Sequence, residues 1–466
     1  MVVNKEIHPT TIVIFGATGD LTRRKLLPSL FSLWKQEMLP EEFRIIAFSR
    51  RPFTDQDYRR FATEEGNFSV AEKESLQFGK FLELISYVKG DFDDVSSYER
   101  LRDALAIFDT EWNHCSNKLL YLSVPPQSYE LLIRNIKNSG LAIPCGGTLG
   151  WTRILVEKPF GSDGKSAYEL DLMLRELYKE EQIFRIDHYL AKETLQNILA
   201  FRFSNTLFEP VWNRDYIESV HIRLFEKIGI EGRANLYEGV GALRDVGQNH
   251  ALQMLALVAM ENPMNLSEDH IRDERASVFK KLVLRPRSKL IRGQYEGFLA
   301  EKGIAADSVT ETYFRIESAI EDVRWNGVPF IIESGKAMSE ARADITVTFK
   351  NCDSVLTKEV DRLYGNRITF TLQPEEKIEI RFWAKKPGFE HSLREQLFTI
   401  QGGDTVAGPG AYERVLFDAI RGDQSLFAGT DEIRYSWKFV SAVQKKWKKT
   451  PLHTYKKGED GPKNIG

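Results

Sequence analysis

Over the first 186 residues, short apolar and β-branched runs alternate with longer stretches of helical periodicity, and this alternation restricts the fold more than any other feature. Strands are expected at 11–15, 44–48, 84–88, 118–124, 153–156 and 182–186. Helices are expected at 21–35, 54–62, 95–108, 129–139 and 166–179. A strand that returns through a helix pairs in parallel with its neighbour, so the pattern predicts a doubly wound, Rossmann-like α/β sheet domain. Ligands of such sheets bind at the carboxyl ends of the strands. The first of those ends reads Gly16-Ala17-Thr18-Gly19-Asp20-Leu21. A Gly-x-x-Gly turn between strand and helix lets the backbone approach a pyrophosphate, whose charge suits the helix N-terminus. The second strand ends in Ser49-Arg50-Arg51, with no acid. An acid there would hold the ribose 2′-hydroxyl of NAD, whereas an arginine suits the 2′-phosphate of NADP. Thr18 can add a hydroxyl. The expected cofactor is therefore NADP.

From residue 218 onward the pattern changes. Val220, Ile222 and Leu224 alternate with His221, Arg223 and Phe225, and 345–349, 368–372 and 378–382 behave alike. One-sided alternation predicts half-buried strands in a mainly antiparallel sheet. With helices expected at 248–260, 277–284, 411–421 and 431–447, the second part reads as a larger α+β domain. The tail after His453 is expected to fray. A chain of 466 residues exceeds one ordinary core, and the expected domains are 1–186 and 187–466. A formal net charge of −3 argues against bulk attraction to nucleic acid. No apolar run reaches the length of a membrane span, and no signal-peptide segment precedes the first strand. Cys115, Cys145 and Cys352 are odd in number and far apart, which predicts a reducing, cytoplasmic setting without a disulfide framework. No Cys/His cluster marks a metal site.

The densest chemistry lies at Arg185-Ile186-Asp187-His188-Tyr189-Leu190-Ala191-Lys192-Glu193, between the sixth strand and a helix expected at 194–203. His188 and Lys192 share a face if the first helical turn begins there, and an open helix N-terminus beside a lysine can hold an anion. Read by itself, the run is equally well a solvated helix start. It resembles the active-site signature of the glucose-6-phosphate dehydrogenase family, with Ala191 where the family usually has glycine. Gly16-Ala17-Thr18-Gly19-Asp20-Leu21 through Lys25, Glu157-Lys158-Pro159-Phe160-Gly161, the segment 241–250 ending in His250, Gly335-Lys336, and Ala411-Tyr412-Glu413-Arg414 extend the resemblance over nearly the whole chain.

The resemblance implies oxidation of D-glucose 6-phosphate at C1 to 6-phospho-D-glucono-1,5-lactone, with hydride transfer to NADP, in the oxidative pentose phosphate pathway. It implies a cytoplasmic homodimer, or a dimer of dimers, joined through the second domain's sheet. His250 is expected to be the base, since a neutral imidazole can take a hydroxyl proton at pH 7. Asp187 is expected to fix its tautomer. His188, Tyr189, Lys192 and Lys336 are expected at the 6-phosphate, and Glu226 and Asp245 at sugar hydroxyls. Lys158, before a candidate cis proline, is expected between nicotinamide and sugar, with Lys25 pointing to their junction. Gly16, Thr18, Gly19, Asp20, Leu21, Ser49 and Arg50 complete the cofactor site. Two rival readings are a dehydrogenase of an unphosphorylated sugar and a catalytically silent NADP-binding regulator. The first would waste His188, Lys192 and Lys336 on a neutral group, and the second should lack the base and its carboxylate. Mammalian members hold a second, structural NADP on a basic cluster. Here Glu333, Thr346 and Thr371 stand at three of those positions, Arg342 and Arg381 keep charge at two, and Ala341 replaces a basic residue usual on the substrate side. One NADP per chain is expected.

Overall fold

The structure, a computed structural model, describes residues 8–144, 150–352, 364–390, 392–401 and 408–463. The chain divides into two compact units: Met1–Ala191 with Ser267–Asp269 and Pro409–Ile433, and Lys192–Leu266 with His270–Gly408 and Arg434–Gly466.

The first unit is built on β1 (Thr10–Phe15), β2 (Phe43–Ser49), β3 (Ile85–Lys89), β4 (Asn117–Leu122), β5 (Thr152–Glu157) and β6 (Ile183–Ile186). They pair in parallel in the order β6-β5-β4-β1-β2-β3. All of β1 and β4 is buried, which is why those strands read as continuous apolar runs rather than alternating ones. The helix Asp55–Glu65 starts where Thr54 accepts the Asp57 N–H and Asp57 returns the bond, closing a capping box. Two helices, Val70–Lys73 and Leu76–Glu83, were not expected, and the helix Gly164–Arg175 starts and ends before the predicted 166–179.

Residues 409–433 return to this unit from far along the chain. Their helix, Ala411–Arg421, packs on the helix Leu27–Lys35. Arg153 donates to the carbonyls of Ala419 at 2.8 Å and Ile420 at 2.7 Å, satisfying that helix's last turn. The dipeptide strand Phe427–Ala428 then adds to β6 antiparallel.

The second unit contains β7 (Ile217–Phe225), β8 (Leu282–Leu284), β9 (Ile291–Tyr295), β10 (Tyr313–Ile320), β11 (Phe330–Gly335), β12 (Arg342–Phe349), β13 (Arg367–Gln373), β14 (Lys377–Lys385) and β15 (Leu393–Gln401). The sheet order is β15-β14-β13-β12-β7-β11-β10-β9, closed by Leu452–Tyr455, with β8 on β10. Pairing is antiparallel except between β7 and β11 and between β9 and Leu452–Tyr455. This is the mainly antiparallel α+β domain expected. Three local expectations are corrected. The helix around His250 starts at Leu243, not 248, and continues to Ala259. Residues 282–284 are strand, and their helix runs Glu268–Lys281. The tail is not frayed: the Tyr455 hydroxyl donates to the Lys336 carbonyl at 2.7 Å, and the Gly458 N–H to that of Ala337 at 2.8 Å. Cys115 is disulfide-bonded, where the sequence led us to expect a reducing setting and no disulfide framework, and its partner lies outside the described residues; Cys352 is exposed and forms no disulfide.

Candidate active site

The nucleotide turn follows β1. Gly16 has φ +82°, and a Cβ there would lie 2.3 Å from the Ser123 carbonyl oxygen and 2.8 Å from Val124 Cγ1. Only glycine lets this backbone pass so close to the end of β4. The Gly16 and Ala17 N–H groups donate to Phe48 O, and Gly19 N–H donates to Gly16 O at 2.8 Å. A wide helical turn, Thr22–Leu26, leads into Leu27–Lys35. The turn is thus a tight cradle beneath a helix start, which fits a dinucleotide pyrophosphate.

At the adjoining end of β2, the Thr18 and Ser49 hydroxyls lie 2.9 Å apart. Arg50 is exposed and forms no ion pair among the described residues, whereas Arg51 lies over the Phe61 ring at 5.1 Å. Arg50 and the hydroxyl pair are therefore the groups suited to a 2′-phosphate. Asp20 is solvent-facing, 3.4 Å from Arg23 and 3.6 Å from Arg24, Leu21 is half-buried, and Lys25 is exposed on the helix that follows.

Lys158 follows β5, and the Lys158–Pro159 peptide is cis, as the sequence suggested. Glu157, just before it, accepts the Tyr121 hydroxyl at 2.6 Å and a hydrogen bond from Tyr412. Burial pushes its carboxyl up to about 7, while the Tyr121 bond and the Lys158 ammonium pull the other way. Asp187, 2% exposed, directly follows β6, and its Oδ1 accepts the Tyr189 N–H at 3.0 Å. His188 stacks on Tyr412, with centroids 6.1 Å apart and planes at 14°. Tyr412 stood in a recognised sequence run, but nothing in that run pointed to His188 or Glu157.

The expected helical face of His188 and Lys192 does not form. Residues 188–191 make a turn, Lys192 is extended, and the helix begins at Glu193. Its N-terminus already holds an acid: the Thr194 N–H and hydroxyl donate to Glu376 at 2.9 and 2.6 Å. Burial lowers the Lys192 ammonium below the usual lysine range, and Glu376 pushes it back up. Glu376 is a site neighbour that sequence reasoning missed.

Lys336, Glu226 and Asp245, singled out separately, come together in the second unit. Lys336 is 3% exposed; its Nζ lies 2.7 Å from Glu226 Oε1, 3.3 Å from Asp245 Oδ2 and 5.1 Å from the centre of the Tyr237 ring. Asp245 and His250 ride on the helix Leu243–Ala251, whose turns are wider than α-helical, a departure common at functional sites. His250 is 2% exposed.

Fold and site together define a dinucleotide-dependent oxidoreductase. Family models described as the glucose-6-phosphate dehydrogenase NAD binding domain and C-terminal domain match residues 13–197 and 199–466. The chain belongs to the glucose-6-phosphate dehydrogenase family. It is 39% identical over 472 residues to glucose-6-phosphate 1-dehydrogenase of Borreliella burgdorferi, covering 97% of this chain and 95% of that one. It is 37% identical to glucose-6-phosphate 1-dehydrogenase 6, cytoplasmic, of Arabidopsis thaliana, covering 98% and 90%. A solved glucose-6-phosphate dehydrogenase in complex with its substrate glucose 6-phosphate superposes with a TM-score of 0.90 at 31% identity, covering 98% of this chain and 96% of that one.

Proposed function

We propose that the chain oxidises D-glucose 6-phosphate at C1 to 6-phospho-D-glucono-1,5-lactone. The observation that carries this reading is the cluster of Lys336 with Glu226 and Asp245, on the unit that also bears His250. A buried ammonium beside two carboxylates offers a partner for anionic oxygen and acceptors for hydroxyls, which is the mixture a sugar phosphate requires. NADP, held by the Gly16–Gly19 turn with Thr18, Ser49 and Arg50, supplies the hydride acceptor; NAD is a weaker alternative.

The residues divide the remaining work. His250 takes the proton of the C1 hydroxyl, a role that suits an imidazole near neutral pH. Asp187 fixes the His250 tautomer and stabilises the imidazolium once formed. Its Oδ1 is held by the Tyr189 N–H, which supports a fixed carboxylate. His188, Tyr189, Lys192 and Lys336 bind the 6-phosphate, Glu226 and Asp245 orient hydroxyls, and Lys158 and Lys25 face the junction of sugar and cofactor. In this reading residues 1–186 serve the cofactor, and 187–466 serve the substrate and the dimer. Support for a dimer through the second sheet comes from its edge strand β15, where Leu397, Phe398 and Ile400 are exposed, beside exposed Phe382 on β14. A cytoplasmic location suits the Arabidopsis relative's description. No helix among the described residues is long and apolar enough to cross a membrane.

The test is His250→Asn. It should bind glucose 6-phosphate normally and lose about 10²- to 10⁴-fold in turnover, the usual contribution of a general base. Near-normal turnover would remove His250 from this role.

A further inference from the structure

We propose that Glu311 is a positioning residue for this reaction, because its buried side chain fixes the start of the helix that carries Asp245 and His250. The inference rests on the role given to His250 above. The helix Leu243–Ala251 follows a turn in which Gly239 and Gly241 have φ +72° and +75°. No side chain of its own N-cap residue bonds to its first turn. The missing acceptor comes from 68 residues further on: Glu311 Oε1 accepts the Leu243 N–H at 3.1 Å. The Glu311 carbonyl accepts the Ala242 N–H at 3.0 Å and the Tyr237 hydroxyl at 3.1 Å. A Cβ on Gly241 would lie 2.3 Å from Glu311 Oε1, so the carboxylate fills the space that the glycine leaves.

The residues flanking Glu311 hold the rest of this half of the site. Thr310 Oγ1 accepts the Gly239 N–H at 3.0 Å, and the Thr312 carbonyl accepts the Lys336 N–H at 2.9 Å. Thr312 Oγ1 also lies 2.9 Å from the Tyr455 hydroxyl, which donates to the Lys336 carbonyl. One short segment therefore sets both the helix start and the turn that presents Lys336. Asp245 lies in the first turn after Leu243, and His250 about two turns on, so an error at the cap rotates both against Lys336. Misplacing reacting groups by about 1 Å can cost about 10²-fold in rate. What the cap needs is an acceptor oxygen at this reach, which a Gln carbonyl also supplies.

The experiment compares Glu311→Asp and Glu311→Gln in the full chain, reading kcat, KM for glucose 6-phosphate, NADP affinity and thermal unfolding. Shortening the side chain should lower kcat by about 10- to 100-fold and leave NADP affinity within about twofold. Glutamine should restore kcat to within about threefold of the parent. Gly241→Ala, which drives a methyl against the same carboxylate, is the second perturbation and should fall in kcat as Glu311→Asp does. Parent-like kcat in Glu311→Asp or Gly241→Ala would overturn the proposal. So would an equal loss in Glu311→Gln, which would show that charge matters rather than the cap. Loss of folding in Glu311→Asp shifts the decision to Gly241→Ala and the glutamine rescue, and failure of that rescue overturns it as well. His250→Asn separates the layers: if it stays active, the underlying assignment is wrong, whereas an inactive His250→Asn with normal Glu311 and Gly241 variants sinks only this inference.

Discussion

Gly16→Ala should selectively disable the cofactor site. The new methyl would sit 2.3 Å from the Ser123 carbonyl oxygen, closer than a Cβ tolerates, and regaining even 3.0 Å requires a shift of about 0.7 Å. The turn has little room to give it. Its N–H groups are bonded to Phe48 O, and the Ala17 carbonyl accepts the buried Tyr58 hydroxyl at 2.9 Å. Holding alanine at φ +82° costs about 1–2 kcal/mol, and loss of one of those hydrogen bonds about 1 kcal/mol more. If the strain is relieved by deforming the turn in the cofactor-free protein, cofactor binding must pay about 2–3 kcal/mol, or about 30- to 150-fold in Kd. Calorimetric titration with NADP reads this directly, and binding of glucose 6-phosphate alone should hardly change. Gly140→Ala is the control, since Gly140 also has positive φ, +73°, but nothing lies within 4 Å of its would-be Cβ. NADP affinity in Gly16→Ala within about threefold of the parent would refute the claim that this close approach shapes the cofactor site.

Three further outcomes are expected. Arg50→Ala should raise KM for NADP and leave that for NAD nearly unchanged; equal effects would show that Arg50 does not read the 2′-phosphate. Lys192→Ala should weaken glucose 6-phosphate by about 10- to 100-fold, the value of a charge-assisted hydrogen bond, with far less effect on glucose. Calorimetry should find one NADP per chain: Glu333 lies 2.8 Å from His221 and accepts the Tyr313 hydroxyl at 2.6 Å, Arg342 pairs with Glu340 and Asp344, and Arg381 with Glu395. A second site that survives in Gly16→Ala would contradict this.

What the chain disclosed beforehand follows from how local each feature is. Strands β1 to β6 were readable because a sheet covered on both faces needs apolar runs, and the Gly16 turn because its glycines and its helix are adjacent in sequence. The strand Phe427–Ala428 is two residues long, and its place beside β6 depends on Arg153 and Arg185 holding residues 419–430 to the first unit. The helix start at Leu243 was hidden because its cap is Glu311, and the filled N-terminus at Thr194 because its acid is Glu376, 182 residues on. The ordered tail was missed for the same reason, since Tyr455 finds its partners at Thr312 and Lys336. Family likeness named Lys336, Glu226 and Asp245 one at a time, and only the folded unit shows that they share one ion-pair cluster.

The most direct test of the account is the rate at which purified protein reduces NADP with glucose 6-phosphate, set against glucose at equal concentration. The account predicts rapid reduction with the phosphorylated sugar, a far lower kcat/KM with glucose, and loss of the phosphorylated sugar's advantage in Lys192→Ala. Equal rates on both sugars, or no reduction with either, would contradict it.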